Sequence, residues 1–176
     1  FSLEEQIDEN NIVRWIDLIV EKLVEKHADR YKDYGAKSTG RPAYAITTML
    51  KLFSYGCINR IKSSRRLEKE CYRNIEVMWM LGEQKPDHKT IANFRRDHGE
   101  LIKEFSRDLK LMLKTILVDD RPIVATDGTK LKANASRDML SQRTVSATLK
   151  RLEREIEPYF NKLKELNESE DDTNIE

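Results

Sequence analysis

Residues 63–98 read SSRRLEKECYRNIEVMWMLGEQKPDHKTIANFRRDH. Ser63-Ser64 is a helix start signal, because a hydroxyl there accepts from the first free backbone N–H groups of a helix. Ser64, Leu67 and Cys71 then open a helical period, although Ser64 with Glu68 is one residue too long for a capping box. This predicts a helix over about 64–72. A second short helix covers about Asn74 to Leu81 and ends at Gly82, a natural C-terminal stop. Ile75, Met78 and Trp79 share its apolar side, so Trp79 is expected in the core. Asp87 caps a third helix from His88 to about His98. Ile91 and Phe94 point inward, and Lys89, Asn93 and Arg96, at i, i+4 and i+7, share the outer face.

Two short helices followed by a capped third resemble a helix–turn–helix unit. Asn and Arg on the first turns of such a helix read adenine and guanine edges in a major groove. Lys89, Asn93, Arg95 and Arg96 are therefore candidate DNA-binding residues. Lys62, Arg65 and Arg66, at the start of the preceding helix, are candidates for holding phosphates, which fix register without reading sequence. Spacing alone leaves the competing reading open, a solvated basic face on an ordinary helical bundle.

Working outward, residues 10–26 read as an amphipathic helix capped by Asn10 or Asn11, with Ile12, Trp15, Ile16, Ile19 and Leu23 on one stripe. Trp15 is expected in the core. Lys32 to Gly40 is a loop. Pro42 fits the first turn of a helix running to about Ile61, with Ile46, Met49, Leu50, Phe53 and Cys57 inward. Beyond His98, a helix over about Glu100 to Leu117 buries Leu101, Phe105, Leu109, Met112, Leu113 and Ile116. At Arg121 the period is lost. Ile123 to Thr126 is short, apolar and partly β-branched and reads as a strand, with a second at Lys130 to Ala133. Residues 145–167 return to helix with Leu149, Leu152, Ile156, Tyr159, Phe160 and Leu163 at helical spacing. Pro158 is expected to kink or stop that helix, and the acidic tail from Asn167 to be disordered.

The charge is distributed unevenly. Residues 1–34 carry five Lys/Arg and nine Asp/Glu, or −4, and residues 150–176 carry the same. The middle, 35–149, carries 22 and 13, or +9, which points to a nucleic-acid surface there. No run of 18 apolar residues predicts a membrane span. Cys57 and Cys71 are too few for a disulfide framework and lack zinc-ligand partners, and a cytoplasmic setting is expected. His27, His88 and His98 read as solvated or capping residues.

Asp127 lies in Thr126-Asp127-Gly128-Thr129. Asp-Gly between strand-like runs is a strong hairpin signal. The sharper alternative is a carboxylate on the first strand of a nuclease core, where three carboxylates hold two divalent metals. The residues themselves leave both open.

The stretch GRPAYAITTMLKLFSYGCINRIKSSRRLEKECYRNIEVMWMLGEQKPDHKTIANFRRDH (40–98) closely resembles the N-terminal domain of bacterial insertion-sequence transposases of the DDE type, which have an RNase H-like core. SLEEQIDENNIVRWIDLIV (2–20) is similar to that family's first helix, and VATDGTKLKANASRD (124–138) to the segment with its first catalytic aspartate. The resemblance implies binding of terminal inverted repeats in double-stranded DNA, and cleavage and joining with Mg²⁺ or Mn²⁺. It carries over one catalytic and metal-binding residue, Asp127, in an incomplete site. The other two carboxylates would lie beyond Glu176, so the chain is expected to be an excised piece or a truncated product, inactive alone and with no metal bound.

The expected fold is mainly α: a helical DNA-binding domain over 1–117, the first strands of an incomplete RNase H-like domain over 118–138, and a helix with an acidic tail over 139–176. The expected location is the bacterial cytoplasm, at the nucleoid. Two other functions stay open at this point. One is a truncated transposase that inhibits transposition by binding DNA or forming dimers; the other is a helical oligomerisation module without a DNA role.

Overall fold

The computed structural model describes residues 2–9, 11–34, 43–119 and 143–171. Helix α1 spans Leu3–Gln6, α2 Ile12–Lys26, α3 Ala28–Tyr31, α4 Ile46–Ile58, α5 Ser64–Arg73, α6 Ile75–Met80, α7 His88–Asp97, α8 Gly99–Asp119 and α9 Arg143–Asp171. Among the described residues there is no strand. Pro42, the expected strands at 122–133 and Asp127 lie outside them.

Most helix starts follow local chemistry. Asn11 accepts from the Val13 N–H at 3.0 Å, Ser63 from Arg66 at 3.3 Å, Asn74 from Glu76 at 2.9 Å and Asp87 from Thr90 at 2.8 Å. Each such cap stabilises its helix by about 1 kcal/mol. Gly82 ends α6 at φ +55°. Its N–H reaches the Trp79 carbonyl at 3.1 Å and that of Glu83 reaches Met78 at 2.8 Å. This paired closure satisfies two carbonyls that the helix end would leave open, and it needs a residue that tolerates positive φ.

Helix α4 differs from its expectation. It begins at Ile46 without a side-chain cap and ends at Ile58, short of Ile61. Every residue from Thr48 to Ile58 is buried, not one face only. The segment TTMLKLFSYGCI has no polar face to offer water, so a helix made from it must be enclosed. Helices α2, α6 and α9 surround it. Its one charged side chain, Lys51, is satisfied by Asp17 at 2.7 Å and Glu21 at 2.5 Å, both on α2. Burial pushes the Lys51 ammonium toward a lower pKa, but its hydrogen bonds to the two carboxylates outweigh this and leave it raised.

Helix α9 packs against α8, α4 and α7. Leu149, Leu152, Ile156, Tyr159 and Leu163 are buried along it. Residues 143–171 thus return to the core that the earlier helices build. Pro158 neither stops the helix nor confines it, since α9 runs through it to Asp171, past the Asn167 where a tail was expected. Pro158 and Arg154, whose carbonyl loses its partner, are both exposed, so water can serve the freed group.

One side chain ties α9 to the rest. The Tyr159 hydroxyl donates to the Ile61 carbonyl at 2.6 Å and accepts from Arg95 Nη2 at 3.2 Å. Its ring meets Phe53 edge-on at 5.6 Å. The hydroxyl needs Gly56 beneath it, because a Cβ there would stand 2.6 Å from its oxygen and 3.1 Å from the Ile61 carbonyl. Burial pushes the Tyr159 pKa up to about 12.

Gly56→Ala is expected to destabilise the fold by about 1–3 kcal/mol through this overlap. Tyr159→Phe should cost about 1–3 kcal/mol by stranding a buried donor and a buried carbonyl. The two losses should not add: with the hydroxyl gone, Gly56→Ala should cost less. A double-mutant cycle by urea unfolding measures this coupling, and strict additivity would refute the contact.

Candidate nucleic-acid interface

Helices α5 and α7 pack on each other, and α5 also packs on α6. Leu67, Glu70 and Cys71 face inward from α5, and Ile91, Phe94 and Arg95 from α7. Burial pushes the Cys71 thiol up to about 11 and Cys57 up to about 12, so both behave as small apolar core groups.

The outer faces follow from that anchoring. Lys62, Arg65 and Arg66 are exposed at the turn before α5 and on its first turn. Lys89, Asn93 and Arg96 are exposed together on the outer side of α7. The expectation for Arg95 fails. Its side chain is buried, and its guanidinium donates to the Lys62 carbonyl and to Tyr159 Oη. It adjoins the inward positions Ile91 and Phe94 on the helical wheel, so it holds the interface from behind instead of facing solvent.

Several cations elsewhere are matched to acids: Arg14 to Glu4, Lys51 to Asp17 and Glu21, Arg60 to Glu155, and Lys110 to Glu157. Lys62, Arg65, Arg66, Lys69 and Lys89 make no ion pair with any described residue. These five sit together on α5, the turn before it and the start of α7, although Lys26, Arg107, Lys114, Lys150, Arg154 and Lys164 on other helices also make no ion pair with a described residue. The acids near the five are engaged elsewhere. Glu70 is drawn to Arg73 and Asn74; burial raises its pKa, but those hydrogen bonds outweigh this and leave it lowered. Glu68 pairs with His88 Nδ1 at 2.8 Å. Asp87 caps α7, and its hydrogen bond from the Thr90 backbone, above all, keeps its carboxyl below the ordinary range.

Beside this surface lies a groove of about 460 Å³ lined by Arg65, Glu68, Lys69, Tyr72, Arg73 and His88. Lys69 and Tyr72 were not singled out from sequence, although Arg65, Lys69 and Tyr72 recur at i, i+4 and i+7, which places them on one face. His27, expected to be solvated or capping, closes α2 and stands 3.6 Å from Asp108. His98 closes α7 and packs against Tyr34 at 5.0 Å. Trp15 is buried as expected. Trp79 is only half-buried, with the Arg14 guanidinium 4.7 Å from its ring and its indole N–H donating to Glu4.

Asp127 lies outside the described residues. Among the described residues, no group of three or more His, Cys, Asp or Glu side chains is placed to hold a metal ion. No helix among them is long and apolar enough to cross a membrane.

Residues 1–97 match the family model described as Transposase domain (DUF772). The match spans more than half of the chain, which therefore belongs to this transposase domain family. It ends at Asp97, the last residue of α7, so it includes every exposed cation of the α5–α7 surface. No curated protein and no solved structure matches the chain.

Arg95→Ala is expected to lower stability by about 2–3 kcal/mol, since a charged donor to one buried and one part-buried acceptor is lost. Arg66→Ala should stay within about 0.5 kcal/mol of wild type, as for other exposed positions. Thermal unfolding of the two variants separates the structural arginine from the exposed one.

Proposed function

We propose that this chain is the part of a transposase that recognises duplex DNA, at the terminal inverted repeats of its element, through α5 and α7. The observation that carries the reading is the cluster of exposed cations, Lys62, Arg65, Arg66, Lys69 and Lys89, that no described acid neutralises. Exposed cations without partners release the counterions of a polyanion on contact, which drives association. In this reading α7 enters the major groove and presents Lys89, Asn93 and Arg96 to base edges, while Lys62, Arg65 and Arg66 hold phosphates. Arg95 and Tyr159 position α7 from behind.

Asp127 belongs to the same proposal as the first metal-binding carboxylate of an RNase H-like core. The resemblance of residues 124–138 supports it. When bound, Mg²⁺ or Mn²⁺ would supply activation of the attacking hydroxyl and stabilisation of the leaving oxygen.

Fluorescence anisotropy with duplex DNA that ends in the element's repeat tests DNA recognition. Affinity is expected to fall steeply with salt. Arg65→Ala and Arg66→Ala should each weaken all duplexes alike and reduce the log–log salt slope by about 1. Asn93→Ala or Arg96→Ala should cost about 1–3 kcal/mol on the repeat and relax specificity at the matched base. Salt-independent binding, or affinity untouched by all four changes, would end the reading. Asp127→Asn is expected to leave repeat binding at the wild-type value and to abolish strand cleavage by the transposase. Undiminished cleavage would instead favour a hairpin turn, since Asn-Gly makes the same turn.

A further inference from the structure

Tyr72 is the feature that duplex recognition leaves unused. It is 57 % exposed, whereas every other tyrosine and phenylalanine among the described residues is buried or half-buried. It stands in the groove lined by Arg65, Lys69 and Arg73 from α5 and by His88 from the start of α7. The Lys85 ammonium lies 5.0 Å from its ring centroid. That contact marks the ring face as open to a group attracted to π density. Leaving an aromatic ring of this size in water forgoes apolar burial that the core nearby could provide. Here the helical period turns Tyr72 away from Leu67 and Cys71 and onto the cationic face.

We propose that this groove binds single-stranded nucleic acid, with an unpaired base stacked on Tyr72. The chemistry fits in three respects. A base offers a flat π face whatever its identity, and an exposed tyrosine ring offers the complementary one. Arg65 and Lys69 are without ion pairs among the described residues and precede the ring on the same face of α5, where they meet the phosphates of the strand that leads to the stacked base. Lys85 moves from the ring onto a phosphate when the base takes its place, since it is exposed and held there by the ring alone. The groove contains one carboxylate, Glu68, and its pairing with His88 at 2.8 Å turns it from the cations. A duplex cannot use Tyr72 in this way, because its bases are stacked on each other and present only edges in the grooves. The inference rests on the nucleic-acid reading of α5 and α7 and adds to it a second substrate form, an unpaired strand adjoining the duplex.

The experiment compares the full chain with Tyr72→Ala and Tyr72→Phe on two labelled probes, an oligothymidylate of about 12 nucleotides and a blunt duplex ending in the repeat. Wild type should bind the oligothymidylate, and the affinity should fall with salt. Tyr72→Ala should weaken that binding about tenfold, while Tyr72→Phe, which keeps the ring, stays close to wild type. Duplex binding should be unchanged in both. Three outcomes would overturn the inference while leaving duplex recognition standing. Oligothymidylate is not bound although the duplex is; Phe weakens binding as much as Ala, which marks a hydroxyl–phosphate contact; or Ala weakens both probes alike. If wild type binds neither probe, the nucleic-acid reading itself has failed and the stacking inference falls with it. Circular dichroism of the variants confirms that the helices are intact, as expected for a side chain that is mostly exposed.

Discussion

The hydroxyl of Tyr159 stands where four parts of the chain meet. It donates to the carbonyl of Ile61 in the turn between α4 and α5, accepts from Arg95 on α7, and lies against Gly56 on α4, while its own helix returns from beyond residue 142. Buried polar groups are costly unless each finds a partner. The arrangement therefore specifies one registry of these four segments and penalises any slip of α9 along α8. The sequence separation of its partners is large: Tyr159 and Ile61 are 98 residues apart. It is a tertiary constraint that no local propensity supplies.

From this point outward, the division of labour between the two arginines of α7 is a matter of geometry. Arg95 and Arg96 are neighbours in sequence and chemically identical. One turns inward to the Lys62 carbonyl and Tyr159, and the other stays exposed beside Asp97. The inward arginine fixes the helix from which the outward one is displayed. A basic helix held in this way loses less orientational freedom when it meets a polyanion, so more of the contact energy appears as affinity. The same logic explains why acids near the interface are engaged as caps and pair partners. Asp87, Glu68 and Glu70 each have a specific partner, so none of them forms an ion pair with Lys62, Arg65, Arg66, Lys69 or Lys89.

The transposase domain family match covers α1 to α7, yet the packed body includes α8 and α9. Phe105, Leu109 and Leu113 of α8 and Leu149, Leu152 and Ile156 of α9 are among the deepest core residues. The buried residues of α9 belong to the same core as those of the leading helices. A helix whose apolar stripe includes Leu149, Leu152, Ile156, Tyr159 and Leu163 has to bury that stripe, and α8 and α4 supply the surface.

The sequence alone determined the helical class, a cap at Asn10 or Asn11, one at Ser63-Ser64 and one at Asp87, the stop at Gly82, and the exposed face made by Lys89, Asn93 and Arg96. These depend on interactions within three or four residues and on a period of 3.6, both of which are written locally. Its resemblance to transposases agreed with the family match. What the sequence could not show was the enclosure of α4, the persistence of α9 through Pro158, and the burial of Arg95. Amphipathic reasoning assumes that each helix has one wet side, and α4 has none. A proline rule assumes that the freed carbonyl has no other partner, and at Arg154 water is available. Arg95 looked like its neighbour because its acceptors, the Lys62 carbonyl and Tyr159 Oη, come from 33 and 64 residues away. Only the folded chain brings those oxygens to it, and only there does a charged side chain become cheaper to bury than to expose.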